Sequence, residues 1–233
     1  MAALAFRLPA RLAAMLTAFG GGILMSAVAL ELVPQADAEA GPVLATAGLI
    51  GGMVVFVSID AWLGRDEDVR MMREAGQAAA AGRPMSMPTS PDAVRGESLA
   101  AGLFVDGVPE SLALGLTVAT GEVGFALLAG ILVGNVVESY GATQAILSGE
   151  RSRRFPVVLM TVIGAALAGS TVLGGSLLAG ASADMVGTAQ AFAAGAVLAV
   201  LTITIIPHAF DEVNRAVAAA TVLGFVAGYL LST

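Results

Sequence analysis

Of 233 residues, 57% are apolar and 12% charged, against about 25% charged in a soluble domain; with a mean hydropathy of +0.87, an ordinary soluble fold is excluded. The chain has no Cys and one His, and all eleven positive charges are Arg. Disulfides, thiolate ligands and a multi-histidine zinc site are therefore excluded, and at a net charge of −7 no basic patch with interleaved aromatics suggests nucleic acid.

Long uncharged runs point to spanning helices rather than to a barrel. Seven runs are long enough at 1.5 Å of rise per residue. They are 12–30 with a polar continuation to Pro34, 41–59, 99–120, 123–147, 155–183, 185–210 and 216–231. Gly, Ala and Ser are frequent in them, as at Gly130 and Gly134, and permit close helix approach. The first run, with Arg7 and Arg11 before it and Ser26-Ala27-Val28-Ala29 within it, also has the form of a cleaved signal peptide. An internal repeat that includes this run argues for a retained helix.

Arginine placement alternates along the chain. Arg7 and Arg11 precede the first run, and Arg65, Arg70, Arg73, Arg83 and Arg95 follow the second. Arg151, Arg153 and Arg154 follow the fourth, and Arg215 follows the sixth; the other connections have none. The positive-inside rule then places the N-terminus in the cytoplasm and the C-terminus outside, with seven crossings of a cytoplasmic membrane. Residues 1–233 read as one membrane domain. Segment 64–97, with Pro84, Pro88 and Pro91, reads as a flexible cytoplasmic loop. Its Met71, Met72, Met85 and Met87 also suit a soft ion, although a plain linker accounts for them.

Two repeats are visible. Ala18-Phe19 with Gly22, Pro34, Ala36 and Glu39 matches Ala191-Phe192 with Gly195, Pro207, Ala209 and Glu212; Gly to Pro is 12 residues and Pro to Glu five in both. Val105, Val108, Glu110 and Ser111 match Val133, Val136, Glu138 and Ser139 in a shared VxxVxES pattern. In the alternating topology both pairs run in opposite directions. Inverted repeats of this kind mark secondary transporters, with substrate bound near the midplane. The fifth run has no counterpart.

The third run carries Asp106 and Glu110, four apart and so on one helix face. The fourth carries Asn135 and Glu138, three apart. Only a few residues connect the two runs, which predicts an antiparallel hairpin of neighbours. Asp106, Glu110, Asn135 and Glu138 then converge as an oxygen cage suited to a divalent cation. Pro109 crowds the carbonyl of Val105 and loosens the helix there. Interhelical hydrogen bonding is the simpler reading, but Asn, Ser and Thr would serve it at less cost. Glu31, near the outer end of the first run, is either an admitting group or an interfacial carboxylate. His208, Asp211 and Glu212 at the inner end of the sixth are either a release site or solvated charges. Asp60 reads as interfacial.

The stretch Asp106-Gly107-Val108-Pro109-Glu110-Ser111-Leu112-Ala113 resembles the fourth-helix motif of the ZIP (Zrt-, Irt-like protein) metal transporters. Gly134-Asn135-Val136-Val137-Glu138 resembles their fifth-helix motif, and the segments around Pro34 and Pro207 resemble the ends of their second and seventh helices. The resemblance implies a helical bundle with inverted repeats around a two-helix metal site, and a homodimer that moves zinc, manganese or iron into the cytoplasm. The family's first helix has no equivalent in this sequence. Asp106 stands where the family has His, and Gly107 where it has Asn. Carried over, Asp106, Glu110 and Glu138 match its primary ligands, and Asn135 with Glu138 a secondary pair. Loss of the nitrogen donor favours harder ions such as Mn²⁺ or Fe²⁺.

The expected protein is all-α, a polytopic membrane transporter of divalent metal and not an enzyme. The metal is its substrate, and no organic cofactor is expected. The alternatives are a proton-linked carrier or channel using the same carboxylates, and a degenerate membrane protein that transports nothing.

Overall fold

In a bilayer the backbone amides have no water to bond, so apolar runs satisfy them internally as helices. The computed structural model describes residues 8–63, 96–119, 121, 124–148, 154–178 and 180–232, and every element among them is helical. Helix α1 (Ala10–Ala27) passes through a π turn, Val28–Leu32, into α2 (Val33–Leu63). Then come α3 (Gly96–Ala119), α4 (Phe125–Ser148), α5 (Arg154–Leu177) and α6 (Ala183–Val200). A second π turn, Leu201–Ile205, leads into α7 (Ile206–Val213), and α8 (Ala216–Leu231) ends the bundle. Most of the expected loop 64–97, with its four Met residues, lies outside the described residues; α3 begins at Gly96.

Helix α2 is two pieces. Gly41 adopts φ 75 and ψ 167, conformational space open chiefly to glycine, and Pro42 follows it. Neighbours across the bundle show that the chain reverses there. Before the break Gly21 faces Leu201 and Ile205, while Ala36 and Ala40 face Gly187; numbers rise on one side and fall on the other. After it Gly48 faces Thr188 and Gly52 faces Ala196, so both sides rise. The same test makes α8 parallel to α1 (Phe19 with Gly224, Ser26 with Gly228) and α5 parallel to α3 (Leu167 with Gly107, Gly175 with Gly115). Helix α4 is antiparallel to α1, with Gly20 at Val133 and Leu24 at Gly130.

Pro34 and Pro207 account for the π turns. A proline ring crowds the carbonyl four residues back, here residues 30 and 203, and each lies inside a π turn. Widening the helix by one residue per turn moves that carbonyl aside. Pro109 has the same effect on paper, yet α3 runs through it as an α-helix.

These features recur at one spacing. The π turns begin at Val28 and Leu201, and the positive-φ breaks fall at Gly41 and Asn214 (φ 52). Both pairs are 173 residues apart. Phe19 lies at Gly224 and Phe192 at Gly51, contacts that exchange under the same shift of 173.

The core lies where α1, α4 and α6 cross. Leu24, Val28, Leu127, Val197 and Val200 are fully buried there, with Leu32 and Leu201 from the π turns. Lipid is as apolar as leucine, so close packing rather than water exclusion holds such helices together. A Cβ on Gly52 would strike the Phe192 carbonyl, and one on Gly195 the Leu49 carbonyl; α2 and α6 therefore meet backbone to backbone. The outer faces stay apolar. Val158, Val162 and Val172 of α5 and Val222, Leu223 and Leu230 of α8 are each at least 60% exposed, a surface that suits lipid rather than water. Among the described residues three helical stretches are long and apolar enough to cross a membrane: Arg11–Trp62, which contains the Gly41 reversal, Arg154–Ser176 and Ala183–Val213. Two shorter helices, Phe125–Gly141 and Ala216–Leu231, are also apolar. The molecule has the surface and the elements of a helical membrane protein.

Candidate functional site

Asp106 and Glu110 lie on successive turns of α3, where their four-residue spacing in Asp106-Gly107-Val108-Pro109-Glu110 puts both on the inward face. They are 7% and 4% exposed. Glu110 has two like charges acting on it, Glu138 from α4 and Asp106 from its own helix. Three of the four expected donors are thus neighbours in the apolar interior.

Asn135 and Glu138 are half-buried and open onto a cavity of about 270 Å³ between α3, α4 and α5. Ser111 and Ser139 line it beside them. The Ser139 hydroxyl donates back to the Asn135 carbonyl, the usual way a helical serine satisfies itself. Among the described residues no group of three or more His, Cys, Asp or Glu side chains is arranged to hold a metal ion. Of the three carboxylates, Glu138 lines the cavity and Asp106 and Glu110 do not.

The expected hairpin of neighbours is looser than the short connection suggests. Helix α3 packs mainly along α5, and α4 mainly along α1. Small residues decide this. Gly115 lies against the Thr171 carbonyl of α5, and Gly130 against Leu24 of α1. The site is consequently a cleft between two helices that other helices hold. Helix α5 forms its third wall through Met160, Ile163 and Leu167. Nothing in that apolar run distinguished these residues from lipid-facing ones.

The remaining expected residues lie apart from the cleft. Glu31 sits in the first π turn, half-buried, with its carboxylate against Gly124 at the N-terminus of α4. That end of a helix carries partial positive charge, so Glu31 complements α4. His208 and Glu212 are half-buried on α7, and Asp211 is exposed. Asp60 is half-buried near the end of α2. One buried polar contact escaped the sequence reading. Gln190 of α6, wholly buried, donates from Nε2 to Gln35 Oε1 at 2.9 Å. A lone Gln inside the run 185–210 was the available signal.

No family model matches this chain, and no curated protein matches it either.

Proposed function

We propose that the chain carries a divalent metal cation across a membrane through the cleft between α3 and α4, in the manner of the ZIP transporters that its motifs resemble. The observation that carries this reading is the clustering of the buried Asp106 and Glu110 with the half-buried Glu138. Each charge costs about 2.5–3.5 kcal/mol at the centre of a membrane helix. Interhelical hydrogen bonds average only about 0.6 kcal/mol, too little to offset three. A cation between the helices offsets the mutual repulsion of the three carboxylates.

The 173-residue spacing of π turns and helix breaks supports an inverted repeat of α1 with α2 against α6 through α8. In transporters built this way substrate binds near the midplane, and movement of one copy against the other alternates access. The reading includes seven crossings, a cytoplasmic N-terminus, uptake into the cytoplasm and a homodimer, the last two resting on the resemblance alone. Zn²⁺, Mn²⁺ and Fe²⁺ are the candidate cargoes, and an all-oxygen donor set favours the harder two.

Uptake by proteoliposomes tests it. Purified protein should take up at least one of these ions, and Glu110→Ala and Glu138→Ala should each reduce that uptake at least tenfold. Proton flux without metal uptake would establish the proton-linked alternative instead. Unchanged uptake in both variants would remove the cleft from the mechanism.

A further inference from the structure

The cavity beside the carboxylates is asymmetric. On the α3 and α4 side it presents Ser111, Asn135, Glu138 and Ser139 together with Leu114 and Ile131. On the α5 side it presents Met160, Ile163, Leu167 and Ala168, and the single oxygen there is that of Thr171. That hydroxyl already donates to the Leu167 carbonyl at 3.2 Å, and a thioether is a poor ligand for a hard ion. Half of any coordination sphere centred in this space therefore faces no protein donor. The space is also larger than a bare ion needs. Six waters occupy roughly 180 Å³ at about 30 Å³ each, and the cavity measures about 270 Å³.

We infer that the cleft takes its cation partly hydrated: the Glu138 carboxylate of α4, with Asn135, Ser111 and Ser139 beside it, replaces water on one side, and the apolar wall of α5 leaves the remaining waters in place. This rests on the carrier reading above and narrows its cargo to hard divalent cations that keep water when bound. Mg²⁺ is of this class, since it dehydrates reluctantly and is commonly held by one or two carboxylates plus water; Mn²⁺ shares its preference for oxygen. Zn²⁺ falls outside it, because a four-coordinate zinc site takes most of its ligands from the protein. Selectivity would then reside in α5, a helix that supplies no charged donor to the cavity.

The probe is hexaamminecobalt(III), an exchange-inert complex whose six ammines occupy the positions of water. It should inhibit Mn²⁺ uptake competitively in proteoliposomes of the unmodified protein, with half-inhibition within tenfold of the Mn²⁺ half-saturation. Gly164 also lines the cavity from α5, and a Cβ placed there meets nothing within 4 Å. Gly164→Asp should add a donor to the bare wall and raise Zn²⁺ uptake relative to Mn²⁺ at least tenfold; Gly164→Ala should leave the ratio unchanged. Mn²⁺ uptake without competitive inhibition overturns the hydrated-ion reading alone, as does an unchanged ratio in Gly164→Asp. Uptake of Zn²⁺ with neither Mn²⁺ nor Mg²⁺ transported also overturns it while leaving a carrier. Absence of any divalent flux overturns the carrier and this inference together.

Discussion

Glu110 is the residue on which the site turns. It is buried, and it faces two like charges. Removing its charge without changing its shape separates the two readings of the cluster. Glu110→Gln should melt at a higher temperature than the parent in metal-free detergent solution, because one of three repelling charges is gone. It should also lose the stabilisation that Mn²⁺ gives the parent, about 2.7 kcal/mol at a hundredfold excess over the dissociation constant for one site. Thermal unfolding with and without Mn²⁺ checks both halves. A purely structural carboxylate predicts the reverse: a lower melting temperature and no metal dependence in either protein. Asp106→His offers a second check, since it adds a nitrogen donor to the carboxylate cluster. It should shift bound metal toward Zn²⁺ in elemental analysis of protein soaked in a mixed panel.

At the scale of elements, the positive-φ breaks at Gly41 and Asn214 carry two of the reversals, and they differ in chemistry. Gly41 sits where a side chain is strained, with φ 75 and ψ 167. Gly41→Ala should therefore cost about 1–3 kcal/mol of stability, although a Cβ there meets nothing within 4 Å. Asn214 already carries a side chain at φ 52, so Asn214→Gly should be neutral or stabilising by up to about 1 kcal/mol. Unfolding in detergent distinguishes the two. Prolines show why local sequence only partly predicts such irregularities. Pro34, Pro109 and Pro207 impose the same steric demand, yet only the first and third lie beside π turns. The reading of the third run around Pro109 as a loosened helix does not extend to a break, for α3 stays α-helical past it.

For the whole molecule, the parallel and antiparallel registers place the ends of the helices on two faces. Asn214 and Asp184 fall on opposite faces and are both exposed. The chain has no Cys, so single substitutions report cleanly. In right-side-out vesicles a membrane-impermeant thiol reagent should label Asp184→Cys and spare Asn214→Cys until the membrane is opened. Equal labelling of both would refute the seven-crossing topology. Packing gives a further check. Gly195→Leu forces a side chain into the Leu49 carbonyl, and overpacking of this kind costs about 1–3 kcal/mol. It should lower the melting temperature with no direct effect on the distant carboxylates.

Most of the helices were legible beforehand. An uncharged run of sufficient length in lipid has one way to satisfy its backbone, so α3 at Gly96–Ala119 and α8 at Ala216–Leu231 fall close to the apolar runs 99–120 and 216–231. The sequence by itself also determined that Asp106 and Glu110 share a face, since helical geometry leaves no alternative for residues four apart. Tertiary structure alone decided which helix lies beside which. The short connection suggested that α3 and α4 pack on each other, but glycine positions take α3 to α5 and α4 to α1. Close approach depends on matching small residues across a contact, and that match is a property of pairs of helices that no single run displays. The third wall of the cavity is a consequence of the same pairing. Met160, Ile163 and Leu167 are ordinary apolar residues until α5 lies along α3 and brings them opposite Glu138.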